Sequence, residues 1–330
     1  MSRCDTPRVP AVRPRSPRLG YLLGASAATL WALNGSLARF LLDDGLPALR
    51  LAQLRSLIAF VILVGVLAAR WRDRLAIRRE DVPRLAFFGV AGLALVHATY
   101  FEAISRLDIG VALVIQYLGP LLLLLWLRLV YGRRAPRALY GAVTLSLAGC
   151  FLVVEAYHAD RLDGLGILAA FGAAVTFAVY LFSGERAGHR YPPVTTLVWG
   201  FGFASAFWAL AQPLWLFPTG QLDSAGGAAL GLGVGVVGTL LPFVLMVEAL
   251  RHIPAPRAAI VATLEPVLAA ILAYFIHGQS LDAIQIAGGL LVVCAVIWVQ
   301  AQRPTLAEEA APAYSSRPRR AAQTAPTLPR

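Results

Sequence analysis

The chain contains no lysine; all 29 of its basic residues are arginine. Charge of either sign is scarce, at 14% against the ~25% of a soluble globular protein. Only three cysteines occur, Cys4, Cys150 and Cys294, without a CxxC pair or metal-ligand spacing. That excludes a disulfide scaffold and a cysteine metal centre and leaves free thiols. No secretory signal is evident, because residues 1–18 are rich in arginine and proline and the apolar run after them is too long. Walker motifs, catalytic triads and His/Cys/Asp/Glu metal clusters are also missing, so no cofactor, metal or catalytic residue is expected.

What is present is hydrophobic sequence. Residues AVILMFWYC make up 58% of 330, and the mean hydropathy is +0.68. The charges sit between apolar runs of ~20 residues, each long enough to cross a ~30 Å hydrocarbon core. The expectation is an all-α integral membrane protein of a bacterial plasma (inner) membrane, with the lipid bilayer as its main partner. The net charge of +11 does not signal nucleic acid, since it lies in tails and loops and no soluble domain remains to carry it.

Ten spans are predicted: about 20–42, 47–69, 85–104, 109–131, 138–156, 164–183, 193–217, 225–250, 254–276 and 281–301. Residues 1–18 and 302–330 read as disordered tails. Residues 185–190 read as a mixed-charge loop. With an inside N-terminus, 23 arginines fall in inside tails and loops and two, Arg106 and Arg161, in outside loops. The positive-inside rule then places both termini in the cytoplasm.

The ninth span carries an oddity at Leu264-Glu265-Pro266. Glu265 lies at mid-membrane depth, where an ionisable group costs roughly 2.5 kcal/mol or more unless it faces a cavity or partner. Pro266 has no N–H and loosens the helix one turn earlier. The fourth span has Leu118-Gly119-Pro120 at the equivalent place, at an offset of 146 residues from Pro120 to Pro266. The same offset relates Glu102-Ala103 to Glu248-Ala249, Gly20 to Gly166, Trp31 to Phe177, Pro47 to Pro193 and Gly132 to Gly278. Two homologous halves are expected, at about 19–157 and 164–301. Each has an odd number of spans, so the second enters the membrane inverted. Inverted repeats with a midplane site are the architecture of secondary transporters.

Trp31, Pro47 followed by Arg55, and the duplicated block Glu102-Ala103, Leu118-x-Pro120, Gly132 and Glu248-Ala249, Leu264-Glu265-Pro266, Gly278 resemble the drug/metabolite transporter superfamily, EamA type. The Ile115-Gln116-Tyr117-Leu118-Gly119-Pro120 run is similar to amino-acid exporters, particularly of threonine and homoserine. The resemblance implies export of small metabolites, amino acids or related compounds, by alternating access. The family's Gly-Glu pair after the fourth and ninth spans is absent; Gly132-Arg133 and Gly278-Gln279 stand there.

Glu265 is the first candidate, either as a proton-binding carboxyl that couples protons to substrate or as a neutral group serving backbone freed by Pro266. Arg55 either clamps a substrate anion or pairs structurally with Glu102. Trp31, Asn34, His97, Tyr100, Gln116, Tyr117 and Tyr180 could line a central cavity or simply pack. Glu102 and Glu248, near span ends, read as gate or structural acids. Gly231, Gly233, Gly235 and Gly238 read as close helix packing rather than a phosphate loop. Uptake or exchange of a nucleobase, sugar conjugate or drug-like amine is the alternative within transport. A lipid-modifying membrane enzyme is a remoter one, because it would need clustered acids or histidines. The sequence leaves substrate, direction, coupling ion and oligomeric state open.

Overall fold

The computed structural model describes residues 16–132, 134–158, 163–277 and 280–302. The tails beyond them, Cys4, Arg133, Arg161 and the Gly278-Gln279 pair lie outside the described residues. Those residues form helices and no strand. The long helices are α1 (Pro17–Asp43), α2 (Ala48–Arg70), α3 (Arg79–Ile104), α4 (Ile109–Tyr131) and α5 (Arg137–Val153). They continue as α6 (Gly164–Arg190), α7 (Pro193–Ala211), α8 (Ala225–Ala249), α9 (Ala255–Phe275) and α10 (Ala283–Ala301).

Eight of these, α2–α4 and α6–α10, are long and apolar enough to cross a membrane. The protein is therefore a multi-pass membrane protein. Its outer surface agrees: Leu129 is 79% exposed, Phe275 76% and Leu290 61%, a cost in water but not against lipid. The remaining two are marginal for opposite reasons. α1 is 27 residues long but carries Thr29, Asn34 and Arg39, whereas α5 is apolar but only 17 residues long.

Local sequence sets the ends. Asp163 caps α6 by accepting from the Gly166 N–H at 2.7 Å, and Ser224 caps α8 through Gly227 at 2.9 Å. Asp282 and Gln285 form a capping box on α10. Gly132 ends α4 at φ +65°, where a side chain would be strained.

The expected loop at 185–190 is instead the last turns of α6, which end only at Tyr191-Pro192. The charges there are satisfied by neighbours rather than by leaving the helix. Glu185 accepts from the Ala255 N–H at 3.2 Å, and Arg186 stacks 4.1 Å over the Phe182 ring. Arg190 reaches Asp81. Proline at 192 then disfavours helix at 191.

Packing between the halves is reciprocal. α1 packs on α8 and α9, as α6 packs on α3 and α4; α2 meets α7, and α5 meets α10. The reciprocity reaches single residues at the 146 offset. Gly20 lies against His252 and Ile253, while Gly166 lies against Arg106 and Leu107. Gly92 abuts Tyr180, while Gly238 abuts Asn34. α5 and α10 touch backbone to backbone, since a Cβ on Gly149 would stand 2.6 Å from the Gly288 carbonyl oxygen. Small residues permit that approach, which membrane helices use in place of a hydrophobic driving force.

Candidate functional site

The helices that carry Pro120 and Pro266 both break, and at matched places. α4 pauses between Gln116 and Gly119, and α9 pauses at Thr263, between Ala262 and Leu264. The cause is local. A proline can neither donate to nor clear the carbonyl four residues earlier, which is Gln116 for Pro120 and Ala262 for Pro266. Those two residues end the first segments. The breaks then meet across the halves: the Tyr117 hydroxyl donates to Glu265 Oε2 at 2.8 Å.

Two other helices are irregular at mid-length. α3 is π-helical over Phe88–Ala94 and α8 over Val236–Leu240. In α8 Pro242 denies a helical partner to the carbonyl four residues earlier, that of Gly238. Arg55 uses it. Its Nε donates to Thr239 Oγ1 at 2.8 Å and its Nη2 to the Gly238 carbonyl at 3.0 Å. Thr239 passes its own proton to the Val234 carbonyl at 2.9 Å. The expected structural pair of Arg55 with Glu102 does not form. Glu102 accepts from Arg106 at 2.6 Å, because an i,i+4 partner on the same helix end is nearer than the buried α2.

At this centre the guanidinium of Arg55 lies within electrostatic reach of Glu265, Tyr100 and His97, and Glu265 within reach of Tyr100. Tyr117, Tyr180, Asn34, His97 and Arg55 are buried. Trp31, Tyr100, Gln116 and Glu265 keep part of their surface accessible. Asn34 Oδ1, Gln116 Oε1 and the Tyr180 hydroxyl are buried without a hydrogen-bond partner among the described residues. A buried polar atom left unpaired is costly, so such a group marks a place where a ligand or water is wanted.

The centre also holds residues that the sequence did not single out. The ring of Phe243 touches Trp31 at 5.5 Å, His97 at 5.7 Å, Tyr180 at 5.1 Å and Phe201 at 5.6 Å. Phe243 is the counterpart of His97 at the 146 offset, so the repeat was the signal that could have found it. Thr239 had no such signal.

Glu102 and Glu248 stay at helix ends, as expected. Glu248 faces Arg251 at 2.9 Å and His252 at 3.5 Å. Near Glu102 a cleft of about 360 Å³ is lined by Pro47, Arg50, Phe101, Glu102, Ser105 and Gln212.

At the opposite end of α2 and α3 stands a cluster unforeseen from sequence. The buried carboxyl of Asp81 accepts from Arg84 at 2.6 Å, from Arg190 and, at 2.8 Å, from the Tyr191 hydroxyl. Burial, with this carboxylate beside it, pushes the Tyr191 phenol above its usual range. Thr195 Oγ1 donates to the Arg74 carbonyl at 2.8 Å and Trp199 Nε1 to that of Leu75 at 3.0 Å. The α2–α3 connection is thereby fastened to the elbow between α6 and α7.

Among the described residues, no group of three or more His, Cys, Asp or Glu could hold a metal ion.

Comparison with known proteins places this geometry in a family. The model of the EamA-like transporter family matches residues 18–155 and again 164–300. The threonine/homoserine exporter RhtA of Salmonella typhimurium (strain SL1344) is 30% identical over 282 residues, covering 83% of this chain and 84% of its own. RhtA of Escherichia coli (strain K12) is 30% identical over 271 residues, covering 80% and 81%. The uncharacterized inner membrane transporter YicL of Salmonella typhimurium (strain LT2) is 26% identical, covering 86% and 96%. A crystal structure at 20% identity superposes with a TM-score of 0.73 over 86% of this chain and 97% of its own, which shows a shared fold. The twice-matched family model and the exporter relatives identify the chain as a member of the EamA-like transporter family.

Proposed function

We propose that this protein is a secondary active transporter that exports small metabolites, amino acids or related compounds, from the bacterial cytoplasm across the inner membrane. It does so by alternating access between two inverted five-helix repeats, residues 19–157 and 164–301. In this reading all ten helices span and both termini are cytoplasmic. α5, at 17 residues, reaches ~25 Å, a shortfall that local thinning of the bilayer accommodates.

The observation that carries the proposal is the reciprocal contact set closing around one buried charged centre. If residue i touches the counterpart of j, and j touches the counterpart of i, the halves exchange under a two-fold rotation. Gly20 with His252 and Gly166 with Arg106 are such a pair, as are Gly92 with Tyr180 and Gly238 with Asn34. His97 and its counterpart Phe243, ring to ring at 5.7 Å, sit where such an axis would pass. With an odd number of spans per half, that axis lies in the membrane plane. Rocking one half on the other then exposes the centre to either side.

Glu265 and Arg55 lie on the seam, with Trp31, Asn34, His97, Tyr100, Gln116, Tyr117 and Tyr180 around them. Pro120 and Pro266 supply the breaks. Glu265 takes up the proton that exchanges for substrate, and Glu102 and Glu248 serve the ends of the path. The matching test is growth of an overexpressing strain on toxic amino acids and analogues. Resistance to at least one, lost with Glu265→Gln, is expected; equal sensitivity to all of them in strains with and without the protein would contradict export.

A further inference from the structure

We propose that the cleft beside Glu102 is a second binding site, outside the buried centre, for a zwitterionic α-amino acid. Arg50 and the start of α2 take the carboxylate, and Glu102 takes the ammonium. The inference deepens the transport reading and rests on it for the path along which the cleft lies. Three helix ends build the cleft: residues 47–50 at the start of α2, Phe101, Glu102 and Ser105 at the end of α3, and Gln212 just past α7. Its volume of about 360 Å³ is at the small end of the ~300–1,000 Å³ of ligand pockets. Arg50 stands five residues, ~7.5 Å, along α2 from Arg55. Phe101 meets the ring of His97 at 6.5 Å. The cleft thus borders the centre, while its lining includes neither Arg55 nor Glu265.

The anion side is held in place yet unspent. Arg50 Nη1 donates to Gln53 Oε1 at 2.9 Å and to the Pro213 carbonyl at 3.1 Å. Gln53 is 2% exposed and donates in turn to the Gln212 carbonyl at 2.6 Å. Buried polar groups therefore position the guanidinium, while its Nε and Nη2 donate to none of the described residues. α2 begins beside it without a side-chain cap, and the amides of Ala48 and Leu49 have no acceptor among the described residues. A guanidinium fork next to free helix-start amides suits a carboxylate.

The cation side has the opposite chemistry. One oxygen of Glu102 accepts from Arg106 at 2.6 Å, and the other accepts no hydrogen bond from the described residues. That ion pair is weak, because its side chains are 39% and 44% exposed. Gln212 Oε1 is buried without a partner among the described residues. These are acceptors, and an ammonium brings three N–H donors. Arg50 and Glu102 line one cleft, but Glu102 pairs with Arg106 and Arg50 with no acid. Opposite charges that share a cleft and are not spent on each other fit a small ligand carrying both.

The test uses the full chain in nanodiscs of phosphatidylglycerol, with Cys4→Ser and Cys294→Ser as background and Ser105→Cys to put a thiol in the cleft wall. A membrane-impermeant maleimide labels that thiol, and each compound is scored by the concentration that halves the labelling rate. The panel holds each proteinogenic amino acid except cysteine, the amine formed by its decarboxylation, and its N-acetyl derivative. At least one amino acid should protect, and loss of either charged group should raise its half-protecting concentration at least tenfold. Arg50→Gln should erase the advantage of the amino acid over its amine. Glu102→Gln should erase the advantage over the N-acetyl compound. Melting temperatures should show intact folds; if Arg50→Gln fails to fold, the Glu102 variant decides. No protection by any amino acid would overturn the inference, as would a penalty below tenfold for loss of either group. So would a folded variant that keeps the preference assigned to its side chain. Labelling slowed by phosphatidylethanolamine in the disc, but by no free amino acid, would give the cleft to a lipid headgroup and overturn it too. Amino-acid resistance in the growth screen without protection of the thiol would strike the cleft alone and leave the transport reading standing.

Discussion

Replacing Asp81 by Asn should loosen the fastening between the α2–α3 connection and the α6–α7 elbow without unfolding the bundle. The Asp81 side chain is 3% exposed, but its partners Arg84 and Arg190 are 47% and 37% exposed. Partners so well solvated bring each pair close to the ~1 kcal/mol of surface bridges rather than the larger figure for fully buried ones. The amide oxygen introduced by Asp81→Asn would still accept from the Tyr191 hydroxyl. The net loss is therefore about 1–2 kcal/mol, or a factor of roughly 5–30 in the balance between fastened and released states. In the proposed orientation this is the cytoplasmic end of the seam, so release favours the inward-open form. Hydrogen exchange reads the effect directly: amides of residues 71–81 and 190–199 should exchange that much faster in the variant, while those of α5 and α10 should not change. Identical exchange at the elbow would refute the argument that this carboxylate holds the two segments together.

Three further substitutions probe the centre and the scaffold. Tyr117→Phe keeps the shape but removes the donor to Glu265; hydrogen bonds to charged groups contribute ~1.5–3 kcal/mol. Tracer flux should fall at least tenfold with the melting temperature nearly unchanged, and wild-type flux would contradict a role for this contact. Pro266→Ala restores an N–H and lets the Ala262 carbonyl be bonded, so the protein should melt at the same or higher temperature yet transport more slowly; unaltered flux would show that the break is incidental. Gly288→Val drives methyl groups into the Gly149 carbonyl and Leu152, where a Cβ alone would already stand at 2.7 Å from each. Overpacking of that kind costs ~1–3 kcal/mol, so a lowered melting temperature is expected; an unchanged one would argue against close α5–α10 packing.

How far the sequence could be read depended on the range of the interaction. α4 runs Ile109–Tyr131, as its apolar run and terminal glycine indicate, because both signals are local. The helix breaks were legible for the same reason, since each proline acts on a carbonyl four residues away. Glu265 stood out because an acid in an apolar run has few tolerable explanations. The partners were not legible. Nothing in the neighbourhood of Arg55 announces Thr239, 184 positions away, so Glu102 looked as good a partner. Asp81 stands in a stretch of sequence crowded with arginines, and nothing local announces that folding buries it against Arg190 and Tyr191. The last turns of α6 are not legible, because the mixed charge at 185–190 resembles a loop and its partners on Ala255 and Asp81 are distant in sequence. Phe243 is intermediate: invisible as one more phenylalanine, yet recoverable from the position of His97 and the repeat.

Entrance counterflow of a radiolabelled amine or amino acid into proteoliposomes holding the purified chain tests the central claim most directly. A solute path along the seam between two exchangeable halves, with Glu265 at its middle, predicts accumulation of label against preloaded cold substrate and its loss in a folded Glu265→Gln protein. Label that never exceeds protein-free vesicles for any compound of the panel, or counterflow untouched by that substitution, would contradict it.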